Sequence, residues 1–323
     1  MSIGVVAIGR NEGKRLEACL ESVLRIGTPI VYVDSGSSDA SVPMARSKGA
    51  EVIELDLRIP FTAGRARNEG FDHLRRIAPH VRYVQFIDGD SELAPGWLDD
   101  AARFLDAENG IAVVCGRLRE KYPDRSIYNM LCDMEWDGPS GEVRKCGGIA
   151  MMRVQAFAFA RGFRSDLIAG EEPELCVRLR AAGWRIWCLD AAMAVHDADM
   201  THFGQWWRRM QRGGYAYAQG AHLHGAPPER HCIKEIRSIW LWAVGIPLLT
   251  LAMTPWLGSW SLVLLLMYPA QVFRLAANQG FASRRYLWRA GFLVLGKFPE
   301  VMGQIRYIFG RYRKQGARLI EYK

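Results

Sequence analysis

The sequence predicts an α/β protein: a wound, mainly parallel sheet followed by apolar C-terminal helices. Three observations lead there. Short apolar runs rich in β-branched residues alternate with helical patterns across the first part of the chain. Acidic turn clusters follow directly on two of those runs. A stretch of 36 residues between Arg237 and Arg274 carries no charge at all.

The elements follow in order. Residues 3–8 are an apolar run that suits a strand buried on both faces. Asn11 stands where it can cap a helix in which Leu16, Leu20, Val23 and Leu24 recur at helical spacing. Thr28 to Val33 is a second strand, closed by the turn composition Asp34-Ser35-Gly36-Ser37-Ser38-Asp39. A short helix to about Lys48 and a strand over 51–55 come next. A helix over 62–76 then leads to a strand over 82–87, which runs straight into Asp88-Gly89-Asp90. Pro95 sits near the start of another helix, where proline is tolerated. Strands over 111–119 and 147–152 and helices over 153–160 and 172–182 complete this part. Ligands gather at the carboxyl ends of parallel strands, and Asp34 and Asp88–Asp90 fall at such ends.

One membrane span takes about 20 apolar residues. The charge-free run over 238–273 therefore fits a helical hairpin, either two short spans or a re-entrant pair, interrupted by Pro247, Pro255 and Gly258. A buried helix pair in a soluble protein is the plain alternative. Arg230, Lys234 and Arg237 flank one side; Arg274, Arg284 and Arg285 flank the other, which puts both ends in the cytoplasm. Residues 286–309 mix Trp288, Phe292, Leu293 and Phe298 with Arg289, Lys297 and Arg306, the composition of an interfacial amphipathic helix. The expected organisation is a globular domain over 1–222 and a membrane-associated region over 223–323, at the inner (cytoplasmic) membrane with the globular domain facing the cytoplasm.

Charge supports this division. The 323 residues carry a net +8, but residues 1–199 carry −5 and residues 200–323 carry +13. A basic tail beside an apolar run favours anionic lipid, and without a recognition motif nucleic acid is not expected as a partner. An exposed apolar tail is also compatible with an oligomer. The seven cysteines include no C-x-x-C pair, so a reducing compartment is the simpler expectation than a zinc site or a disulfide framework. Met1 to Ile8 lacks a basic segment before its apolar run and suits a first strand rather than a signal peptide.

Four clusters carry the chemistry. Asp88-Gly89-Asp90 follows an apolar strand, and two carboxylates one residue apart suit a hard divalent cation, Mg²⁺ or Mn²⁺, beside phosphate oxygens. Taken alone, D-x-D is also a common surface turn. Asp34 can accept hydrogen bonds from a base or ribose, whereas Asp39 suits plain turn or cap duty. Gly170-Glu171-Glu172-Pro173-Glu174 opens a helix; acidic residues there offset the helix dipole, but one can also take a proton from a hydroxyl. His196 follows an apolar strand, where it can join the metal or touch a diphosphate, or serve structure alone. Gln205, Arg208 and Arg209 share one helical face beside Trp206 and Trp207; arginines there can grip phosphate, or rest on lipid with the tryptophans.

Val6-Ala-Ile-Gly-Arg-Asn-Glu12, Val33-Asp-Ser-Gly-Ser-Ser-Asp39, Gly64-Arg-Ala-Arg-Asn-Glu-Gly70, Asp88-Gly-Asp90, Gly170-Glu-Glu-Pro-Glu-Leu175 and Gln205-Trp-Trp-Arg-Arg209 follow one another in that order. Over about residues 1–220 this series resembles the family 2 glycosyltransferases of GT-A fold. The resemblance implies an inverting transfer from a nucleotide-diphosphate sugar to a lipid-linked or glycan acceptor. It implies donor binding by Asp34, Arg67, Asp88, Arg208 and Arg209, with Asp34 at the base and Asp88 near the ribose. It implies a metal at Asp90 and His196, acceptor binding by Gln205 and Trp206, and Glu172 as catalytic base. The family more often has Asp at the position of Glu172. Arg209 stands where processive members carry Trp, which speaks against polymerisation.

Two rivals stand beside this reading. A sugar-phosphate nucleotidyltransferase would carry a Gly-rich basic loop after the first strand, where this chain has Gly9-Arg10-Asn11-Glu12-Gly13. A membrane-bound pseudoenzyme, scaffolding a glycan-assembly complex, would bind nucleotide without turnover.

Overall fold

The computed structural model describes residues 2–24, 28–278 and 283–313. The expected tail residues 279–282 and 314–323 lie outside the described residues. The chain forms two compact units: Met1–Pro123 with Glu135–Asp199, and Asp124–Met134 with Met200–Lys323.

The first unit alternates strand and helix as its apolar periodicities require. Its elements are β1 (Ile3–Gly9), α1 (Lys14–Leu24), β2 (Ile30–Asp34), α2 (Ser41–Ser47), β3 (Glu51–Glu54), α3 (Ala63–Ile77), β4 (Tyr83–Asp88), β5 (Ser91–Leu93), α4 (Trp97–Ala107) and β6 (Ile111–Glu120). The chain then passes through α5 (Ile127–Trp136) and returns with β7 (Gly141–Val143), β8 (Ala150–Arg153), α6 (Val154–Phe159), α7 (Glu171–Ala181) and β9 (Arg185–His196). The sheet runs in the order β3-β2-β1-β4-β8-β6-β9-β5, with β7 paired to β9. Strands β1 to β4 are mutually parallel, and β8 reverses direction beside β4. Helices cover the sheet, so β1 and β2 are buried over almost their whole length, as continuous apolar runs demand. Helix α3 lies close on β1 and β2 because Gly70 has no side chain; a Cβ there would fall 2.4 Å from Val6 Cγ1. Registers Ile8↔Asp88 and Gly9↔Asp34 set the two acidic turns on either side of the end of β1.

Asn11 does more than a cap would. At φ 56° it donates its backbone N–H to Ser37 Oγ at 2.9 Å and accepts the Ser38 N–H on Oδ1 at 2.7 Å. It thereby ties the loop after β1 to the loop after β2.

The second unit is helical: α8 (Phe203–His224), α9 (Ile233–Trp240), a π-helical turn (Leu241–Gly245), α10 (Ile246–Leu257), a 3₁₀ stretch (Gly258–Leu266), α11 (Met267–Ala277), α12 (Arg284–Leu295) and α13 (Lys297–Tyr312). Helix α8 belongs here rather than with the sheet, so the compact units divide at Asp199/Met200 and not at 222/223. The cause is a glycine-mediated crossing. A Cβ on Gly214 of α8 would fall 1.9 Å from the Glu300 carbonyl, and one on Gly303 of α13 would fall 2.0 Å from the Gln211 carbonyl. The expected single helix over 286–309 is likewise divided at Gly296. Of its two parts, α12 exposes Leu287, Trp288, Leu293 and Leu295, whereas α13 buries Glu300, Val301 and Gln304. Close packing on α8 takes one face of α13 into the unit's interior, while its other face exposes Met302, Ile308 and Phe309. Residues 233–277 form the one helical stretch among the described residues long and apolar enough to cross a membrane.

Candidate active site

The site grows out of the carboxyl ends of β2 and β4 and the start of α7. Asp34, the last residue of β2, accepts four hydrogen bonds: from Tyr32 Oη at 3.0 Å, Gly36 N at 2.9 Å, and Ser37 N and Oγ at 2.7 and 2.5 Å. Its side chain is buried. The carboxylate is thus held by its own turn at the end of β2, the position from which it was expected to meet a nucleotide base. Burial and the adjacent Asp34 charge push the Tyr32 hydroxyl up, so it stays a proton donor. Asp39 takes the turn role expected of it, accepting Ser41 N at 3.0 Å.

Arg67 of α3 is the centre of the second cluster. It is 3% exposed. Its Nη1 donates to Glu171 Oε1 and to Glu172 Oε1, both at 2.9 Å, and its Nη2 donates to Asp88 Oδ1 at 2.9 Å. The guanidinium also lies 5.6 Å from the centre of the Phe163 ring. Burial alone would favour its neutral form, but the carboxylates of Asp88, Glu172 and Glu171 outweigh that and keep it charged. Arg67 was expected to bind the donor directly. In the structure its two terminal nitrogens hold the carboxylates of Glu171, Glu172 and Asp88.

One cation facing three carboxylates leaves excess negative charge. Burial, then the neighbouring Glu171 carboxylate, raise Glu172 to about 7, with Arg67 acting in the opposite direction. A carboxylate near neutrality can accept a proton from a hydroxyl and release it again. Helix α7 supplies the placement: Gly170 caps it at φ 80°, a left-handed conformation that glycine adopts freely, and Glu171 and Glu172 open the first turn.

Gly148 is a member of this site that sequence reading missed. A Cβ on it would fall 2.3 Å from Arg67 Nη2, 3.0 Å from Glu172 Oε1 and 3.2 Å from Asp88 Oδ2. Only a residue without a side chain lets the backbone ahead of β8 pass the cluster. The one available signal was the Gly147-Gly148 pair directly before an apolar strand.

Asp90 and His196 are brought together as expected. Their strands pair antiparallel with Ser91 opposite His196, and Asp197 N donates to the Asp90 carbonyl at 3.0 Å. His196 Nε2 lies 3.1 Å from Asp90 Oδ2. Two supports went unread in the sequence. Trp136 stacks on the His196 ring, with centroids 4.8 Å apart at 17°. Glu120, buried at the end of β6, accepts Ala198 N at 3.0 Å and Tyr122 N at 3.0 Å, anchoring the loop after His196. Burial raises the Glu120 carboxyl. No group of three metal-ligating side chains occurs among the described residues. A carboxylate and an imidazole in contact nevertheless fit a cation whose remaining ligands are diphosphate oxygens and water, the arrangement Mg²⁺ and Mn²⁺ favour with nucleotides.

The α8 residues fall in the other compact unit. Gln205, expected at the acceptor, accepts the backbone N–H groups of Thr201 and His202 at 2.8 and 2.9 Å and completes a capping box with His202. Trp206 is 3% exposed and packs on Phe292 at 4.9 Å and Phe203 at 5.4 Å. In the structure Gln205 caps the helix and Trp206 packs in its unit's interior. Arg208 is exposed, with Nε 3.3 Å from the Gly204 carbonyl, and Arg209 is half-buried.

Known proteins resemble this chain in sequence and in fold. The sequence model of the family described as "Glycosyl transferase family 2" matches residues 4–164. A curated relative, the succinoglycan biosynthesis protein ExoA of Rhizobium meliloti (strain 1021), is 29% identical over 200 residues. That match takes in 58% of this chain and 60% of the relative's length. Among solved structures, a mannosyltransferase from Pyrobaculum calidifontis, determined with GDP-Man and Mn²⁺, superposes with a TM-score of 0.60 at 17% identity, over 96% of this chain and 88% of its own. Residues 1–349 of S. aureus TarS superpose at 0.51 and 15% identity, over 98% of this chain and 92% of that one.

Proposed function

The chain belongs to glycosyl transferase family 2 and carries the GT-A fold, and from that premise we propose that it is an inverting transferase at the cytoplasmic face of the inner membrane. It moves a sugar from a nucleotide-diphosphate donor to a lipid-linked or growing glycan acceptor. The observation that carries this reading is the half-buried Glu172 carboxylate at the mouth of a parallel sheet, raised to about 7 and bound to Arg67, which also binds Asp88.

The residues act in one displacement. Glu172 takes the proton of the acceptor hydroxyl as its oxygen bonds to the anomeric carbon. The bond from that carbon to the diphosphate oxygen breaks in the same step, and the nucleoside diphosphate leaves. Asp90 and His196 would hold a divalent cation, with Trp136 and Glu120 fixing the imidazole and its loop. When bound, the cation neutralises charge building on the leaving diphosphate. Asp88 stands at the ribose, positioned by Arg67. Asp34 and Asn11 shape the loops on which the base rests. Arg208, exposed on α8, and Arg209 keep the donor-phosphate role that the family resemblance implies for them.

The test uses purified protein in detergent with a panel of UDP-, GDP- and dTDP-sugars, with and without Mn²⁺, following nucleoside diphosphate release. Turnover of one donor that needs the metal and disappears in Asp90→Ala supports the transferase and identifies its sugar. Nucleotide binding that never leads to turnover with any acceptor would favour the scaffold reading, and absence of nucleotide binding would overturn the proposal.

A further inference from the structure

The charge-free run does not form one rod. A helix of 45 residues would extend about 68 Å, more than twice the thickness of a bilayer's hydrocarbon core. The chain instead doubles back at Gly258, whose φ of 56° and ψ of −137° suit glycine alone. Pro255 lies just before the reversal. The two arms are joined by Thr254 Oγ1 to Ser261 Oγ at 3.2 Å near the tip and by the Tyr268 hydroxyl to the Trp242 carbonyl at 2.6 Å near the base.

The second of these bonds is informative. In the π-helical turn the Ile246 N–H goes to the Leu241 carbonyl, so the Trp242 carbonyl would next be served by residue 247. That residue is Pro247, which has no N–H. Tyr268 donates to the carbonyl that the proline leaves unserved. Three of the other four hydroxyls are also satisfied inside the finger: Thr250 donates to Ile246 O, Thr254 to Thr250 O and Ser261 to Gly258 O, while Ser259 lies exposed at the tip. Internal pairing of the hydroxyls along the arms is what hydrocarbon demands and water does not. The outer surface is apolar, with Leu251, Trp256, Trp260 and Leu266 each more than 60% exposed.

Length decides how far the finger reaches. From Trp242 to Leu257 the first arm rises about 22 Å, and the 3₁₀ return arm gives about the same. That is past the midplane of a core about 30 Å thick, and short of its far side. The base is held in the protein by Trp240 Nε1 donating to Gln304 Oε1 at 2.8 Å. Arg237 and Arg274 bracket the finger, and Arg284, Arg285 and Arg289 follow on α12 beside exposed Trp288, a charge pattern complementary to anionic headgroups.

We infer that residues 242–268 form a re-entrant finger that enters an anionic bilayer from one side and returns without crossing it, with α12 lying at the same interface. This rests on the membrane-face reading above and specifies its geometry. The experiment places a single new cysteine at the exposed tip, Ser259→Cys, in the full chain, reconstituted into sealed phosphatidylcholine/phosphatidylglycerol vesicles. A membrane-impermeant maleimide is presented from each side, with the parent protein as background for its own half-buried Cys188 and Cys232. Protection from both sides is expected, with labelling at least about tenfold slower than in detergent. Lipids brominated deep in the acyl chain should also quench a fluorescence component that Trp260→Phe removes. Labelling only from the side opposite donor turnover would mean a full crossing and overturn the inference. Release of the protein by alkaline carbonate, or protection that persists in detergent because a second copy covers the tip, would overturn it as well. Donor turnover measured separately in detergent keeps failure of the transferase reading distinguishable: a protected finger without turnover sinks only the enzyme.

Discussion

The carboxylate cluster and the finger bury polar groups in opposite ways. Around Arg67, three carboxylates share one guanidinium and remain short of positive charge, so Glu172 is pushed to about 7. Along the arms of the finger, the hydroxyls of Thr250, Thr254 and Ser261 each bond a carbonyl, and a phenol serves the carbonyl that Pro247 leaves unserved. A polar site kept electrostatically incomplete is ready to accept a proton; a polar segment made complete is ready to leave water. The contrast separates groups buried for reaction from groups buried for insertion, and it can be broken at either end.

The largest expected effect is at Glu172. Glu172→Gln keeps the side chain's size and one acceptor oxygen for Arg67, but removes the base. Turnover should fall about 10²- to 10⁴-fold, with KM for the donor little changed and no loss of Tm. Gly148→Ala sharpens the point from outside the carboxylates. Its methyl would fall where Arg67 Nη2 stands, so Arg67 must move and carry Asp88 and Glu172 with it. Activity should drop while Asp90-dependent metal binding, measured by calorimetry with Mn²⁺ and nucleoside diphosphate, survives. Loss of folding in Gly148→Ala and normal turnover in Glu172→Gln would together mean the cluster is a structural ion network.

A smaller, graded effect separates the two uses by pH. Glu172 works as a base only when ionised, so kcat/KM should fall about tenfold per unit as pH drops below 7, and that limb should vanish in Glu172→Gln. Stability should move the other way. The carboxyl is raised above its unfolded value of 4.5, so the folded state holds the extra proton between about pH 4.5 and 7. Its stabilising contribution is complete below that window and is lost as pH rises through it. The advantage in Tm of Glu172→Gln over the parent should therefore grow from pH 5 to pH 8. A pH-independent difference in Tm would mean the group is ionised throughout.

How much of this was legible in the sequence differs by region for physical reasons. Strand and helix periodicity gave the sheet, the ends of β2 and β4 and the start of α7, because burial on both faces leaves an unambiguous apolar run. Asp90 with His196 also followed from position at strand ends. Contacts set by packing were not legible. Trp206 and Gln205 sit on a face that charge and motif assigned to a ligand, yet Phe292, far along the chain, claims the indole, and the helix's own first turn claims the amide. Arg67 looked like a donor ligand because nothing local reveals that Glu171 and Glu172 meet it from residues more than a hundred positions on. The hydrogen bonds of Asp34 went unread for the opposite reason: its partners are two and three residues away, in a turn whose composition was recognised but whose hydrogen bonds were not counted.

The smallest effect tests the other end of the contrast. Tyr268→Phe removes one hydroxyl and leaves the ring beside Trp242 and Phe298. In detergent, where water reaches a bared carbonyl more readily, the loss should be about 1 kcal/mol of stability or less. In a phosphatidylcholine/phosphatidylglycerol bilayer the Trp242 carbonyl has no substitute donor, since Pro247 offers none, and the loss should be larger than in detergent. Donor turnover in detergent should stay at the parent's level, because Tyr268 has no part in the carboxylate cluster. Unfolding of the variant and the parent, compared in the two media, reads the difference directly. An equal loss in lipid and detergent would mean that the carbonyl meets water in both, and the completeness of the finger would then owe nothing to the bilayer.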